Sequence, residues 1–189
     1  ITRRKRRNEA RTMTYTQHYD SPLGGILLAA DEEGLTGLWF DGQKYFARTL
    51  PKEYAESETP VLCEAKRWLD IYFSGREPDF TPPLHPVGSA FQQVVWALLL
   101  EIPYGETTTY GTLARKLAEK QGLTHMSAQA VGGAVGHNDI SLIIPCHRVV
   151  GASGSLTGYA GGVDKKIKLL ELERADMKSF FVPKKGTAL

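Results

Sequence analysis

Four prolines crowd one short stretch of the chain, Pro78, Pro82, Pro83 and Pro86, and no helix or central strand can run through them. Each ring fixes φ at about −65° and removes a backbone donor, so a hydrogen-bonded ladder crossing this stretch would lose several rungs. Elements begun before Glu77 must therefore end there, and the rest of the chain must start afresh. The 189 residues, 42% of them hydrophobic, suffice to bury apolar cores on both sides. We place a linker at residues 81–88 between an N-terminal α/β domain at 13–80 and a second domain at 89–174, with a tail at 175–189.

Before the prolines, the short β-rich runs Thr14–Tyr19, Ile26–Ala30 and Leu35–Phe40 alternate with turn residues at Pro22, Gly24 and Gly25 and at Asp31–Gly34. This pattern predicts a small antiparallel meander. Leu62, Ala65, Leu69 and Tyr72/Phe73 then recur at helical spacing along Val61–Phe73, with Gly75 as the stop. Cys63 and Trp68 flank that stripe, and Cys63 reads as a small core hydrophobe rather than a reactive thiol.

After the prolines the pattern turns helical. Ser89 is placed to cap a helix carrying Phe91, Val94, Val95, Leu98 and Leu99, and Thr108 or Thr109 to cap Tyr110–Lys120. Ser127 caps a third helix, Ala128–Val135, whose run of alanine and glycine gives it a thin profile suited to close packing or a narrow groove. The last two, joined by Gln121–Met126, have the outline of a helix-turn-helix, a pairing common in any helical domain. The predicted fold class is α+β, a small sheet with a helix followed by a mainly helical domain.

Charge is distributed unevenly. Residues 1–12 hold six basic residues against one acidic, residues 13–102 six against thirteen, and residues 103–189 eleven against seven, so a formal +2 conceals segments of +5, −7 and +4. Such asymmetry fits a polyanion-binding module joined to an acidic companion. The run Arg3–Arg7 precedes Met13 and reads as a disordered basic extension, with no apolar segment of a secretory signal behind it. No apolar stretch reaches the roughly eighteen residues of a membrane span. Two cysteines without C-x-x-C or Cys/His spacing give neither a disulfide framework nor a metal site, and a reducing, cytoplasmic setting is expected.

The chemistry concentrates in Ser141–Val150, where an apolar run meets Pro145, then Cys146 and His147. A thiol of ordinary pKa is only a few per cent ionised at neutral pH, so a nucleophilic Cys146 needs a base or a cation, and His147 is adjacent. Pro145 stiffens the approach, and a cysteine at an element's end is expected to be better exposed than one in mid-core. On an extended chain neighbours point to opposite sides, so the pair meets only across a turn or through a bridging water.

The wider string carries more. Ala130-Val131-Gly132-Gly133-Ala134, Asn138, Pro145-Cys146-His147-Arg148-Val149 and Gly158-Tyr159-Ala160-Gly161-Gly162 stand in the order found in the methylated-DNA–protein-cysteine methyltransferases, the O6-alkylguanine-DNA alkyltransferases, and the chain closely resembles that family from about Pro86 to Glu173. The resemblance implies a ribonuclease H-like first domain and a winged-helix-like second one. It implies that Cys146 takes the alkyl group from O6 of guanine, or O4 of thymine, irreversibly and without a cofactor. It further implies a relay from Cys146 through water to His147 and Glu173, with Asn138 holding the nearby turn and Tyr110 serving the leaving base. Read from its helix alone, Glu173 is a solvated residue.

For partners, the resemblance implies double-stranded DNA carrying alkylated guanine, bound by a monomer through the minor groove, with the damaged nucleotide flipped out. Gln129, Ala130, Val135, Val149, Tyr159 and Ala160 would contact DNA or base, with Arg115, Lys116, Lys165 and Arg148 as candidates for phosphate or structural pairing. Two positions depart from the family pattern. Gln129 stands where many members have arginine, which predicts weaker duplex binding, and Asp139 stands where proline is usual, which places negative charge near the DNA and loosens the Asn138 turn. A non-catalytic lesion binder and an unrelated thiol enzyme are the competing readings. The nucleophile argues against the first and the specific motif against the second.

Overall fold

The computed structural model describes residues 12–184, so the basic run Arg3–Arg7 and the last five residues lie outside the described part. The N-terminal part is a four-stranded sheet with one helix. Strands β1 (Tyr15–Ser21), β2 (Gly24–Ala30) and β3 (Leu35–Phe40) form the expected antiparallel meander, with Tyr15 opposite Ala30 and Ile26 opposite Phe40. A two-residue strand, β4 (Ala55–Glu56), adds parallel to β1 and gives the order β3-β2-β1-β4. Helix α1 (Pro60–Phe73) begins at the Thr59 side chain, which accepts the Leu62 N–H, and buries Leu62, Ala65, Trp68, Leu69 and Tyr72. Cys63 is on its exposed side and donates to Glu58, contrary to the core role expected of it. Its position between the Leu62 and Ala65 stripe and the solvent was too close to the boundary for spacing alone to decide.

The C-terminal part is helical. Helices α2 (Ala90–Leu99), α3 (Tyr110–Lys120) and α4 (Ala128–Gly136) start at Ser89, Thr109 and Ser127, each of whose side chains accepts a first-turn N–H. Ser89 and Gln92 complete a reciprocal capping box. Strands β5 (Thr108–Thr109) and β6 (Val149–Val150) pair in parallel and pin the segment after Cys146 to the start of α3. Helix α5 (Val163–Leu172) closes the part. Beyond it, Phe181 pairs with Ser155 while Met177 and Phe180 pack near Val150, Leu156 and Leu170.

Strand β3 joins the two parts. All six of its residues are buried. One edge pairs with the proline stretch, where Leu35 donates to the Pro83 carbonyl and accepts from His85, both at 2.8 Å. Leu38 donates to the Asp139 carbonyl at 2.8 Å and accepts from Ser141 at 3.1 Å. Between them Gly37 leaves room for the Trp39 ring, since a Cβ at Gly37 would lie 2.0 Å from it. The indole N–H donates to the Asp139 carboxylate at 3.1 Å, and Arg48 donates to the other oxygen at 2.6 Å. Asp139 is therefore 3% exposed, its charge is paired with Arg48 of the N-terminal part, and the turn at Asn138 beside it is not loosened, contrary to the expectation. A continuous apolar cluster runs from Ile26 and Leu38 through Tyr72 and Trp96 to Val135, Cys146 and Leu169.

Candidate active site

The segment from Asn138 to Cys146 is held in a conformation its sequence alone disfavours. Leu142 sits at φ +70°, a region that costs a bulky residue of order 1 kcal/mol or more. The Asn138 side chain compensates: its amide donates to the Ile140 and Ile144 carbonyls at 3.3 and 2.8 Å, and its oxygen accepts the Ile140 N–H at 3.0 Å. After Pro145 the chain turns tightly, and Cys146–Arg148 form a single 3-10 turn rather than extended backbone. Cys146 is 6% exposed, so the better exposure expected of it is not found. Burial pushes its thiol upward, while the Asn138 amide and the Lys166 ammonium pull it back.

His147 is fully buried, and its two nitrogens have different surroundings. Nε2 lies 2.5 Å from Glu173 Oε2, and Nδ1 has no hydrogen-bond partner among the described residues. Glu173 is the last residue of α5's C-terminal cap and is 2% exposed, which excludes the solvated alternative. Four donors meet its carboxylate. Oε2 accepts from His147 and from the Tyr72 hydroxyl at 2.6 Å, and Oε1 accepts from Arg148 Nε at 2.7 Å and the Gly105 N–H at 3.1 Å. Gly105 reaches this position at φ +77°, and a Cβ there would crowd the Glu173 carbonyl at 2.9 Å. Burial alone would raise the Glu173 pKa, but the bonds from His147 and Arg148 outweigh it and hold the group down to about 2. An ionised acceptor on one side of the ring fixes the proton on Nε2 and leaves Nδ1 as a base. Burial lowers the His147 pKa, with Glu173 working against it, so the resting ring is neutral.

Lys166 is the residue that sequence reasoning passed over. It is fully buried on α5, donating to the Val149 carbonyl at 2.5 Å and to that of Thr157 at 3.0 Å. Burial lowers its pKa to about 8, and the Cys146 charge supports its cationic form. Arg148 bonds Glu173 and the Ile102 carbonyl, at 2.7 Å each, so of the two roles open to it the internal one is realised. Tyr72 was legible only as one member of an apolar stripe.

A cleft of about 310 Å³ is lined by Tyr110, by Gly132, Gly133 and Gly136 of α4 with His137, and by Gly158, Tyr159, Ala160 and Gly162, and it adjoins this group through Tyr110 and Tyr159, both of which feel the Cys146 charge. Its rim includes Lys44 and Tyr45 from the N-terminal part, and Tyr45 stacks on His137 with centroids 4.4 Å apart. The Tyr110 hydroxyl lies 3.4 Å from the Thr157 and Gly158 carbonyls, and burial and the nearby Cys146 charge raise its pKa. Tyr159 is raised by the same two causes. Val135 and Val149 are buried and do not line the cleft. Gln129 and Ala130 are on the exposed face of α4, and Arg115 and Lys116 on that of α3, outside the cleft, with Arg115 bonded to Thr112. Lys165 lies over the Phe40 ring, 5.7 Å from its centroid. Among the described residues no group of histidine, cysteine and carboxylate side chains is placed to hold a metal, and no helix is long and apolar enough to cross a membrane.

Comparison with known proteins identifies the family. Residues 14–86 match the family described as 6-O-methylguanine DNA methyltransferase, ribonuclease-like domain, and residues 90–175 its DNA binding domain. The chain is 42% identical over 164 residues to a methylated-DNA–protein-cysteine methyltransferase of Haemophilus influenzae, covering 86% of this chain and 88% of that one. A Methanosarcina acetivorans protein of the same name is 46% identical over 160 residues, covering 84% and 97%. Among solved structures, the Mycobacterium tuberculosis O6-methylguanine methyltransferase matches with a TM-score of 0.72 and 43% identity over 86% of this chain and 93% of that one. A structure of a Mycobacterium tuberculosis relative in complex with DNA matches with a TM-score of 0.72 and 41% identity, covering 85% and 92%. The two matched segments, the identity over most of both chains and the shared architecture place this chain in the methylated-DNA–protein-cysteine methyltransferase family, a family of DNA-binding enzymes.

Proposed function

We propose that the protein reverses alkylation of double-stranded DNA by moving the alkyl group from O6 of guanine to the Cys146 sulfur, once per molecule. The observation that carries this reading is the asymmetry of His147: Nε2 is committed to a saturated carboxylate, and Nδ1 is a buried nitrogen without a partner among the described residues, one residue from the thiol in the same tight turn. The thiol proton passes to Nδ1 through a bridging water, and Lys166 balances the thiolate charge. The sulfur then attacks the alkyl carbon in line. A sulfur–carbon bond forms, the carbon–oxygen bond breaks with its electrons on guanine, and Tyr110 gives the departing base a proton that the imidazolium replaces. The thioether is stable, so the protein is consumed and no cofactor is needed.

Because the thiol is buried, the nucleotide must leave the helix and enter the cleft between α4 and the Gly158–Gly162 loop, where Tyr159 and Ala160 form a wall. Helix α4, thin and capped by Ser127, enters the minor groove as part of a monomer, with Gln129 and Ala130 outward. The same displacement applies to O4-alkylthymine. A free thiol as acceptor needs a reducing compartment, and we place the protein in the cytoplasm.

The test is a titration of a duplex holding one O6-methylguanine. Guanine restored should plateau at one lesion per protein, and Cys146→Ala should bind the duplex and restore none. Restoration beyond one equivalent, or restoration by the alanine variant, contradicts the reading.

A further inference from the structure

We propose that Tyr72, on α1 of the N-terminal part, is a positioning residue for the transfer: its hydroxyl donates to the carboxylate oxygen that also holds His147, and so sets how basic that imidazole is. The inference rests on the function proposed above, in which neutral His147 receives the thiol proton.

Glu173 Oε2 is shared by Tyr72 at 2.6 Å and His147 Nε2 at 2.5 Å, and the same hydroxyl lies 3.5 Å from Nε2. A donor on that oxygen withdraws part of the negative charge that would otherwise stabilise imidazolium. Arg148 and Gly105 act on the other oxygen, so Tyr72 is the side chain whose effect falls on the oxygen His147 uses. The hydroxyl is well placed to stay a donor, because burial and the Glu173 charge both raise its pKa.

Its position is fixed from several sides. Tyr72 is fully buried, its ring stacked on Trp68 with centroids 5.1 Å apart and set edge-on to Tyr104 at 6.2 Å and to His147 at 6.5 Å. The charged or titratable groups facing the His147–Glu173 pair are Tyr72 from α1, Arg148 and Cys146 from the 3-10 turn, Lys166 from α5, and Tyr104 and Tyr159 from loops. Arg174, next to Glu173, acts on Tyr104. Of these only Tyr72 comes from the N-terminal part, so the sheet-and-helix half contributes a group to the relay in addition to covering it.

A buried tyrosine also needs a partner for stability alone, and the test must separate the two roles. The measurement is the single-turnover rate of methyl transfer to the full chain from an O6-methylguanine duplex, taken across pH. Tyr72→Phe removes one oxygen. Imidazolium is then better stabilised and the neutral acceptor is lost at higher pH, so the acid limb moves up by about one pH unit. A 3-fluorotyrosine at position 72, a stronger donor of nearly the same shape, should move the limb down. Trp68→Phe, which disturbs the same stack without touching the hydroxyl, should lower Tm and leave the limb in place. Coincident limbs for the parent, Tyr72→Phe and the fluorotyrosine protein overturn the proposal, as does an equal upward shift in Trp68→Phe. If the parent itself transfers no methyl to Cys146 at any pH, the underlying function fails, a result distinguishable from failure of the Tyr72 role alone.

Discussion

Lys166 puts a cation where apolar packing would ordinarily exclude one. Its ammonium is satisfied by two carbonyls and held at a pKa of about 8, so it remains mostly charged at neutral pH beside a thiol that burial disfavours ionising. Lys166→Met should raise the thiol pKa further and slow methyl transfer about tenfold or more at neutral pH, with part of the loss regained as pH rises. Single-turnover rates at several pH values check this. Glu173 gives a second prediction. Its folded pKa of about 2 lies below the ordinary 4.5, so its ionised form stabilises the fold by roughly 3 kcal/mol above about pH 5, and this is lost as pH falls through the folded value. The unfolding free energy of the chain relative to Glu173→Gln should therefore be largest near neutrality and shrink on acidification. Cys146 and His147 were legible in the sequence because few residue pairs carry that chemistry. Lys166 was not, because a lysine on an amphipathic helix reads as solvated, and Tyr72 read only as apolar.

At the scale of elements, the helix starts were the most legible features. Ser89, Thr109 and Ser127 each cap a helix that begins at the next residue, and capping is local enough to be read from a few residues. The two-residue strands β4, β5 and β6 went unseen because each exists by pairing with distant chain, Thr108 with Val149 for example, and has no pattern of its own. The 3-10 turn at Cys146 was equally hidden, because a turn of one residue triplet has no periodicity to read. Helix α4 carries a prediction about its outer face. Gln129 is exposed and uncharged, so Gln129→Arg should tighten duplex binding several-fold at low salt and steepen the fall of affinity with salt. Equal affinity and equal salt slope for the two proteins would remove Gln129 from the interface.

For the whole molecule, the two parts are tied by more than a linker. The proline stretch pairs with β3, and Asp139 is held between Trp39 and Arg48 across a separation of about a hundred residues. The prolines showed in the sequence where regular elements must stop, because they act locally, but not that one strand edge would bind both the proline stretch and the segment leading to Cys146. Nor did it show that Asp139 would find a partner. Arg48→Met should lower stability by roughly 1–2 kcal/mol, discounted because the arginine is partly exposed, and should slow transfer only modestly while Asn138 still braces its turn. Calorimetry beside the transfer rate checks both halves of that statement. Whether Cys146 itself accepts the alkyl group is decided by peptide-mapping mass spectrometry after incubation with an O6-methylguanine duplex. One methyl on the Cys146 peptide, with restored guanine in the DNA, is the expected result. An unmodified Cys146 in protein that has bound the lesion would contradict it.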